Sequence, residues 1–266
     1  MGKLRTLLKE FVGCLRWTSR NVEALRLFAA LLRFHLAKKT ARHDVLTCVQ
    51  MKNPTSGLSW QMQIRIFSGD LFILTEVFFD ECYRLPPVIT HIHPQLRLLD
   101  LGGNIGLTAC YFLTTYPEAE VCSVEPDPEN FSLLHQNISP FSARATAIRA
   151  AVGPHAGRGS LRPATAAHSI SVDFSTHHGD VEVLTIGDIL DLLSWDYVDV
   201  VKMDVEGSEW EIFNGPLNWL QRTKLLLVEF HGACPPYTLE PKLSKYGFTL
   251  HSPGALSGQW LAMRSG

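Results

Sequence analysis

Several classes of protein are excluded by features that this sequence lacks. The chain has no run of about 18 uncharged apolar residues, so we predict no transmembrane helix. The N-terminus lacks the short basic region, apolar core and small-residue cleavage site of a secretory leader, and we expect a cytoplasmic protein. The six cysteines form no C-x-x-C pair, which favours free thiols in a reducing compartment over disulfides or a zinc site.

Basic residues are scarce outside the first 42 positions. Residues 1–42 contain ten Lys or Arg against two Glu, a net charge of +8, whereas the remainder contains 14 basic and 24 acidic residues, a net charge of −10. The acidic charge of the larger part argues against a nucleic-acid substrate. Apolar residues at helical spacing predict two amphipathic helices in the basic part. These helices could contact an anionic membrane, or cap the main domain with their basic faces solvated.

The spacing of the apolar residues divides the chain into three parts. Residues 1–42 are predicted to form a basic helical extension, residues 43–95 a cap segment leading into the fold, and residues 96–266 the main domain. The cap segment is expected to hold a strand near MQIRIFS and a helix near DLFILTEVFFDECY. From residue 96 onward strands alternate with helices, which predicts an α/β fold with a doubly wound, mostly parallel sheet. ARATAIRAAV is predicted as its third strand, and FTLHS and GQWLAMR could pair as a hairpin.

LLDLGGNIGLTA is the strongest local motif. It predicts a strand, a tight turn and a helix, and the residues available to a ligand there are Asp100, Gly102, Gly103, Asn104 and Gly106. The spacing of the glycines does not fit the dinucleotide fingerprint, and a carboxylate at the strand end would repel a pyrophosphate. The same carboxylate could orient a ligand that has positive charge and no phosphate. S-adenosylmethionine, with its sulfonium and ammonium groups, fits that description.

A second carboxylate follows at the end of the next predicted strand. Glu125 in AEVCSVE lies 23 residues beyond Gly102. A carboxylate at this position of a βαβ unit is expected to accept hydrogen bonds from two ribose hydroxyls. Asp127 and Pro128 then predict the start of a helix.

VDVVKMDVEGSEWEIF predicts a central strand that ends in charged residues. Lys202 and Asp204 share one face of that strand, because side chains alternate with a period of two. Ser208 and Glu211 have the spacing of a capping box that would start a short helix. With the next strand, LLLVEFHG, the charged cluster comprises Lys202, Asp204, Glu206, Glu229 and His231. Such a cluster indicates either catalytic groups or a structural ion pair.

Four motifs, in this order and spacing, resemble the FkbM-type family of S-adenosylmethionine-dependent methyltransferases: LLDLGGNIG, VEPDPENF, VDVVKMDVEGSEWEIFNG and LLLVEFHG. The resemblance covers about residues 60–263. It implies the class I methyltransferase fold, a Rossmann-like seven-stranded sheet whose last strand is antiparallel. It also implies that Glu125 binds the ribose of the cofactor and that its methionine part is lined by Asp100, Gly102, Asn104 and Gly106. The family mainly methylates hydroxyls of sugars and natural products, so a small-molecule or glycan acceptor is expected.

Methyl transfer to a hydroxyl needs an acceptor oxygen held in line with the S–CH3 bond and a base that removes its proton. The candidate bases are Asp204, Glu206 and His231. Lys202 could tune one of them, or act as the base if its pKa were depressed. We favour the Lys202/Asp204 pair.

Two segments are the expected sources of acceptor selectivity, because loops beyond the strand ends build such sites. One is residues 53–83 of the cap segment. The other is residues 153–180, a Gly- and His-rich stretch predicted to be a lid or a mobile surface loop.

Three alternative functions compete with O-methylation. A cofactor-binding protein without activity could act as a scaffold through its basic extension. An N-methyltransferase is suggested by CPPY, which resembles an Asn/Asp-Pro-Pro-Tyr loop, although Cys234 lacks the side-chain carbonyl. A nucleotide-dependent oxidoreductase is disfavoured by the glycine spacing. No metal site is predicted, because neither HIHP at residues 91–94 nor the pair at residues 177–178 is joined by further ligands.

Overall fold

The structure is a computed structural model that describes seven stretches of the chain. They are residues 2–36, 44–86, 95–163, 170–174, 179–231, 235–252 and 259–264. No helix within these stretches is long and apolar enough to cross a membrane.

Two helices at the N-terminus, α1 (Gly2–Trp17) and α2 (Asn21–Leu36), pack on the rest of the protein. Trp17 and Leu27 on their inner faces are buried in the same hydrophobic core as Leu98 of the central sheet. The two amphipathic helices expected from the sequence are therefore present. Their inner faces cap the domain, and most of their basic side chains are exposed.

A hairpin and a short helix connect these helices to the main sheet. They are β1 (Leu46–Lys52), β2 (Ser59–Arg65) and α3 (Asp70–Leu74), which continues into a π-helical turn at Thr75–Phe79. The Asp70 carboxylate accepts hydrogen bonds from the backbone and guanidinium of Arg65 at 2.9–3.0 Å, which ties the hairpin to the helix. The strand expected near MQIRIFS is β2. Its partner β1 was not predicted, since only Val49 and Met51 of that strand are buried.

The remaining strands are short, and those at the centre of the main sheet are rich in Val and Leu. In chain order they are β3 (Arg97–Leu101), β4 (Glu120–Val124), β5 (Ala145–Ile148), β6 (Ala151–Val152), β7 (Gly157–Pro163), β8 (Ile170–Asp173), β9 (Val181–Leu184), β10 (Val198–Met203), β11 (Thr223–Val228), β12 (Phe248–His251) and β13 (Trp260–Arg264).

Seven of these strands form the main sheet in the order β12-β13-β11-β10-β3-β4-β5. All neighbours are parallel except β13, which is antiparallel to both β11 and β12. The predicted doubly wound, seven-stranded Rossmann-like sheet and its closing hairpin are confirmed. The strand order reverses between β3 and β10, and open sheets of this kind bind ligands beyond the carboxyl ends of the strands at that point.

A second, smaller sheet has the order β6-β9-β7-β8. It corrects two expectations. ARATAIRAAV is not one continuous strand, because the chain leaves the main sheet after β5 and pairs β6 with β9 instead. Residues 153–180 are not wholly irregular, because β7 pairs antiparallel with both β8 and β9. Residues 164–169 and 175–178, with the histidine pair, lie outside the described residues.

Helices cover the main sheet. They are α4 (Leu107–Thr115), α5 (Pro128–Ile138), α6 (Ile186–Leu192), α7 (Glu209–Asn214) and α8 (Glu240–Ser244), with 3-10 turns at Ser139–Phe141, Asn218–Arg222 and Pro236–Leu239. Asp127 caps α5 as expected, accepting hydrogen bonds from the N–H groups of Glu129 and Asn130.

The start of α7 differs from its expected form. Ser208 makes no side-chain capping bond, so the predicted capping box is wrong. The buried Glu209 carboxylate replaces it by accepting hydrogen bonds from the N–H groups of Val205 and Gly207 in the loop before the helix.

Candidate active site

The loops that follow β3 and β10 touch at Gly102. This residue has a φ of 78°, and a Cβ atom there would lie 1.8 Å from the carbonyl oxygen of Asp204. Only glycine permits both the left-handed backbone and this approach. Asn104 and Glu206, in the same two loops, also have positive φ angles, of 48° and 52°. Such strained backbone in non-glycine residues is concentrated at functional sites.

A buried ion pair lies under these loops. The Lys202 ammonium is 3.2 Å from Asp100 Oδ1 and donates a hydrogen bond to the Gly102 carbonyl at 2.8 Å. The other Asp100 oxygen accepts a hydrogen bond from the Ser123 hydroxyl at 3.0 Å. Burial is the strongest single influence on Lys202 and opposes its charge, but Asp100, Tyr83 and Asp204 together outweigh burial and raise the pKa of the ammonium. A general base would require a depressed pKa, so Lys202 is a permanent cation of the site.

Glu125 lies at the carboxyl end of β4 and is held by backbone groups. Its two carboxylate oxygens accept hydrogen bonds from the N–H groups of Asn104 at 2.8 Å and Asp127 at 3.0 Å. Burial raises the pKa of Glu125 to about 7, although these hydrogen bonds oppose the rise. Each carboxylate oxygen has a second acceptor position. The side-chain amide of Asn130 also donates a hydrogen bond to Oε1, at 3.5 Å, so the acceptor position left for a ligand is on Oε2.

A cavity next to this carboxylate, the Glu125 cavity, has an apolar wall. The wall consists of Val124, Pro126, Ala150, Ala151, Val152 and Val172. An apolar surface beside a hydrogen-bonding carboxylate suits a flat ring attached to a sugar. The sequence did not reveal this wall, because pairing of β6 with β9 and of β7 with β8 is needed to place Val152 and Val172 beside β4.

A second cavity, the acidic cavity, has a volume of about 310 Å³. Its charged lining residues are Glu76, Asp80, Lys202, Asp204, Glu206, Glu229 and His231. The two cavities share the lining residues Ile73, Gly102, Asn104, Asp204 and Glu206. They are therefore adjacent at the switch point of the sheet, with two carboxylates at their junction.

His231 is oriented by a buried carboxylate. Its Nδ1 lies 3.0 Å from Oε1 of Glu209, which is fully buried. This hydrogen bond is the main reason that the pKa of His231 is raised to about 9, and burial of the ring opposes it. The other ring nitrogen, Nε2, faces oxygens of Glu206 at 3.6 Å and of Asp204 and Glu229 at 3.9 Å.

The structure brings together most of the residues predicted for the site. Lys202, Asp204, Glu206, Glu229 and His231 all line the acidic cavity. Gly102 and Asn104 line both cavities, Gly103 lines the acidic one and Glu125 the other.

Two predicted residues lie behind these linings. Asp100 is buried under the loops, and Gly106 packs against Leu134 of α5. Their contact with a ligand stays a prediction. The motif at residues 91–94 and Cys234 fall outside the described residues.

The cap segment contributes side chains that were not singled out in the sequence. Glu76, Asp80 and Tyr83 line the acidic cavity, and the Tyr83 ring lies 5.9 Å from the Lys202 ammonium. The signal that pointed to them was the general expectation that residues 53–83 face the acceptor.

Comparison with known proteins assigns this chain to a family. The methyltransferase FkbM domain matches residues 100–249, more than half of the chain. The chain belongs to the FkbM methyltransferase family. This confirms the resemblance seen in the four motifs.

Two similar proteins have names that describe their methylation reaction. Hexuronic acid methyltransferase AglP of Haloferax volcanii is 31% identical over 156 residues, which cover 56% of this chain and 61% of AglP. 2-O-methyltransferase NoeI of Sinorhizobium fredii is 23% identical over 180 residues, which cover 57% of this chain and 74% of NoeI. The chain thus spans less than two thirds of the length of AglP.

Two solved methyltransferase structures are similar to this chain. The crystal structure of methyltransferase FkbM from Methylobacillus flagellatus KT has a TM-score of 0.46 and 16% identity, covering 97% of this chain and 59% of that chain. The N-terminal domain of human METTL16 has a TM-score of 0.43 and 14% identity, covering 91% of this chain and 80% of that chain. The assignment to the family does not depend on these similarities.

Proposed function

We propose that this protein is an S-adenosylmethionine-dependent methyltransferase that methylates a hydroxyl group on a sugar, a glycan or a small natural product. The observation that carries the proposal is the junction of the two cavities at Asp204 and Glu206. A cofactor held in the Glu125 cavity and an acceptor held in the acidic cavity would meet at these carboxylates.

The residues of the Glu125 cavity fit this cofactor. Glu125 has an acceptor position left on Oε2 for one ribose hydroxyl, and a second hydroxyl could replace the long bond of 3.5 Å from Asn130 to Oε1. The apolar wall offers a surface for adenine. Oδ1 of Asn104 is buried without a hydrogen-bond partner among the described residues. It could accept a hydrogen bond from the ammonium group of the methionine part. When bound, the cofactor would supply an electrophilic methyl group attached to a sulfonium.

Asp204 is the base that we propose for the acceptor proton. It lines both cavities, so its carboxylate could reach a hydroxyl placed in line with the methyl group. Lys202 lies 3.6 Å from Asp204 and remains charged because Asp100, Tyr83 and Asp204 together outweigh the effect of burial. We assign Lys202 the role of positioning Asp204, while Glu206 and His231 shape the acceptor side.

The acceptor class is supported by the relatives. AglP is named for a hexuronic acid and NoeI for 2-O-methylation. The acidic cavity is rich in carboxylates. These would repel the carboxylate of a free uronic acid, so neutral polyols or amino sugars are the favoured acceptors.

Calorimetric titration with S-adenosylmethionine tests the cofactor assignment. We expect saturable binding by the wild type and at least about tenfold weaker binding by Glu125→Ala, because the ribose hydroxyls would lose their charged acceptor. Glu129→Ala, an exposed glutamate on α5, is the matched control and should bind as the wild type does. Absence of binding by folded wild-type protein would refute the proposal.

A methyl-transfer assay tests the acceptor. Release of S-adenosylhomocysteine would be measured with neutral sugars, amino sugars, uronic acids and polyhydroxylated natural products, with Asp204→Asn as the variant that we expect to be inactive. Methylation at nitrogen alone would favour the N-methyltransferase alternative. Cofactor binding without transfer to any of these acceptors would favour the scaffold alternative.

We also propose that α1 contacts an anionic membrane surface. Its outer face carries an exposed apolar stripe formed by Leu4, Leu8, Val12 and Leu15, which are 46–76% exposed. The net charge of +8 in residues 1–42 suits anionic lipid.

Cosedimentation with phosphatidylserine vesicles tests this contact, and it should be reduced severalfold by Leu8→Ser combined with Val12→Ser. Leu192→Ser, at an equally exposed leucine on α6, is the control. Equal sedimentation of all three proteins would contradict the contact.

A further inference from the structure

The junction of the two cavities contains a histidine and two carboxylates in a compact group. Ligand atoms of Asp204, Glu206 and His231 all lie within 4.8 Å of one another. The distances of 3.6 and 3.9 Å from His231 Nε2 to the two carboxylates are too long for hydrogen bonds. They match the separation of neighbouring ligands around one divalent cation, since metal–ligand bonds of about 2.0–2.6 Å place such ligands about 3–5 Å apart.

The histidine of this group is held as metal-binding histidines usually are. Nδ1 of His231 bonds to the carboxylate of Glu209, which is fully buried and also accepts the N–H groups of Val205 and Gly207. This arrangement fixes the ring so that Nε2 faces the carboxylates. A carboxylate behind a histidine ligand orients the ring and strengthens metal binding.

An independent observation in the same cavity points to a missing ligand. Gln259 is 8% exposed and lines the acidic cavity. Its Oε1 has no hydrogen-bond partner within the described part of the chain. A buried amide oxygen without a donor costs about 1–3 kcal/mol. Water or hydroxyl groups attached to a cation would supply such donors, and an anion would not.

We propose that Asp204, Glu206 and His231 bind a divalent cation of the Mn2+ or Mg2+ class at the junction of the cavities. The proposal rests on the proposed function and deepens it, because the cation would bind the acceptor. Its remaining coordination positions would hold two adjacent oxygens, so the acceptor class is a molecule with a vicinal diol. Glu209 is a positioning residue for His231 and does not itself reach the cation.

Mn2+ titration of the full chain, dialysed against a chelator and followed by electron paramagnetic resonance, tests the site. The wild type should show one saturable site. Glu206→Gln, at a partly exposed residue, should bind Mn2+ at least about tenfold more weakly. Glu211→Gln, an exposed glutamate on α7, removes the same charge nearby and should bind as the wild type does.

Two further measurements separate the possible results. His231→Gln should also lose at least about tenfold in Mn2+ affinity, and circular dichroism establishes that each variant is folded. Equal Mn2+ binding by the wild type and Glu206→Gln, or none by either, would overturn the cation site. S-adenosylmethionine titration without Mn2+ reports on the proposed function alone, so cofactor binding without Mn2+ binding would refute the cation and leave the methyltransferase proposal intact.

Discussion

The Glu125 cavity and the acidic cavity lie side by side but are built differently. The first is lined mainly by short stretches that follow β3, β4, β5 and β10, and its carboxylate is already held by two backbone N–H groups. The second combines side chains from residues 72–83, from residues 202–206, from residues 229–231 and from Gln259. The first therefore has the character of a preformed binding site for one ligand. The second has a surplus of carboxylates that a bound cation or acceptor would have to balance.

Breaking the buried ion pair between Lys202 and Asp100, which lies under both cavities, should have the largest effect on stability. Lys202→Met would leave Asp100 buried without its partner, and we expect a loss of about 3–5 kcal/mol in the free energy of unfolding. Urea denaturation would measure it. The double variant Lys202→Met/Asp100→Asn should recover part of the loss, and Lys52→Met on the exposed side of β1 should be nearly neutral. A loss below about 1 kcal/mol in the single variant would show that the ion pair does not support the site.

A change confined to the acidic cavity should affect methyl transfer to the acceptor and leave binding of S-adenosylmethionine unchanged. Glu229→Gln removes one negative charge 3.9 Å from His231 Nε2. We expect the kcat/KM for methyl transfer to a cationic acceptor such as an amino sugar to fall about tenfold, a loss of about 1.4 kcal/mol in transition-state stabilisation. The Kd for S-adenosylmethionine should stay the same. A parallel loss of cofactor affinity would mean that the cavities do not act separately.

A change of pH should act on the Glu125 cavity. Because the pKa of Glu125 is raised to about 7, the carboxyl is protonated below that pH and then accepts hydrogen bonds more weakly. Affinity for S-adenosylmethionine should therefore fall as the pH drops from 8 to 6, by up to about tenfold per unit below the pKa. Calorimetry across this range would measure the profile. Glu125→Gln should bind weakly with a flat profile, whereas a slope that persists in this variant would assign the titration to another group.

The smallest effect is expected at the two helix starts that border the cavities. Asp127→Ala removes a capping carboxylate that accepts two N–H groups and should cost about 1 kcal/mol of stability. Ser208→Ala removes no capping bond and should cost less than about 0.5 kcal/mol. Thermal denaturation of both variants would measure the difference. Equal losses of stability in the two variants would indicate that Ser208 caps α7 after all, as the sequence predicted.

The same contrast explains how much could be predicted from the sequence. The β3 and β4 motifs are local, so Gly102, Asn104 and Glu125 could be predicted from the sequence. The alternation of strands and helices predicted a mostly parallel sheet, and the resemblance to the FkbM-type family implied its seven strands. The acidic cavity depends on distant segments, and Glu76, Tyr83 and Gln259 carry no motif of their own. His231 was a candidate base, but its bond to Glu209 could not be foreseen, because Ser208 and Glu211 suggested a different start for α7.

A crystal structure of the protein with S-adenosylhomocysteine tests the central claim most directly. The account predicts adenine against the wall formed by Val124 and Val152, ribose hydroxyls on Glu125, and the sulfur at the junction beside Asp204. The thioether would then point toward the acidic cavity. A ligand that leaves Glu125 without ribose contacts, or whose sulfur lies away from the junction, would contradict the account.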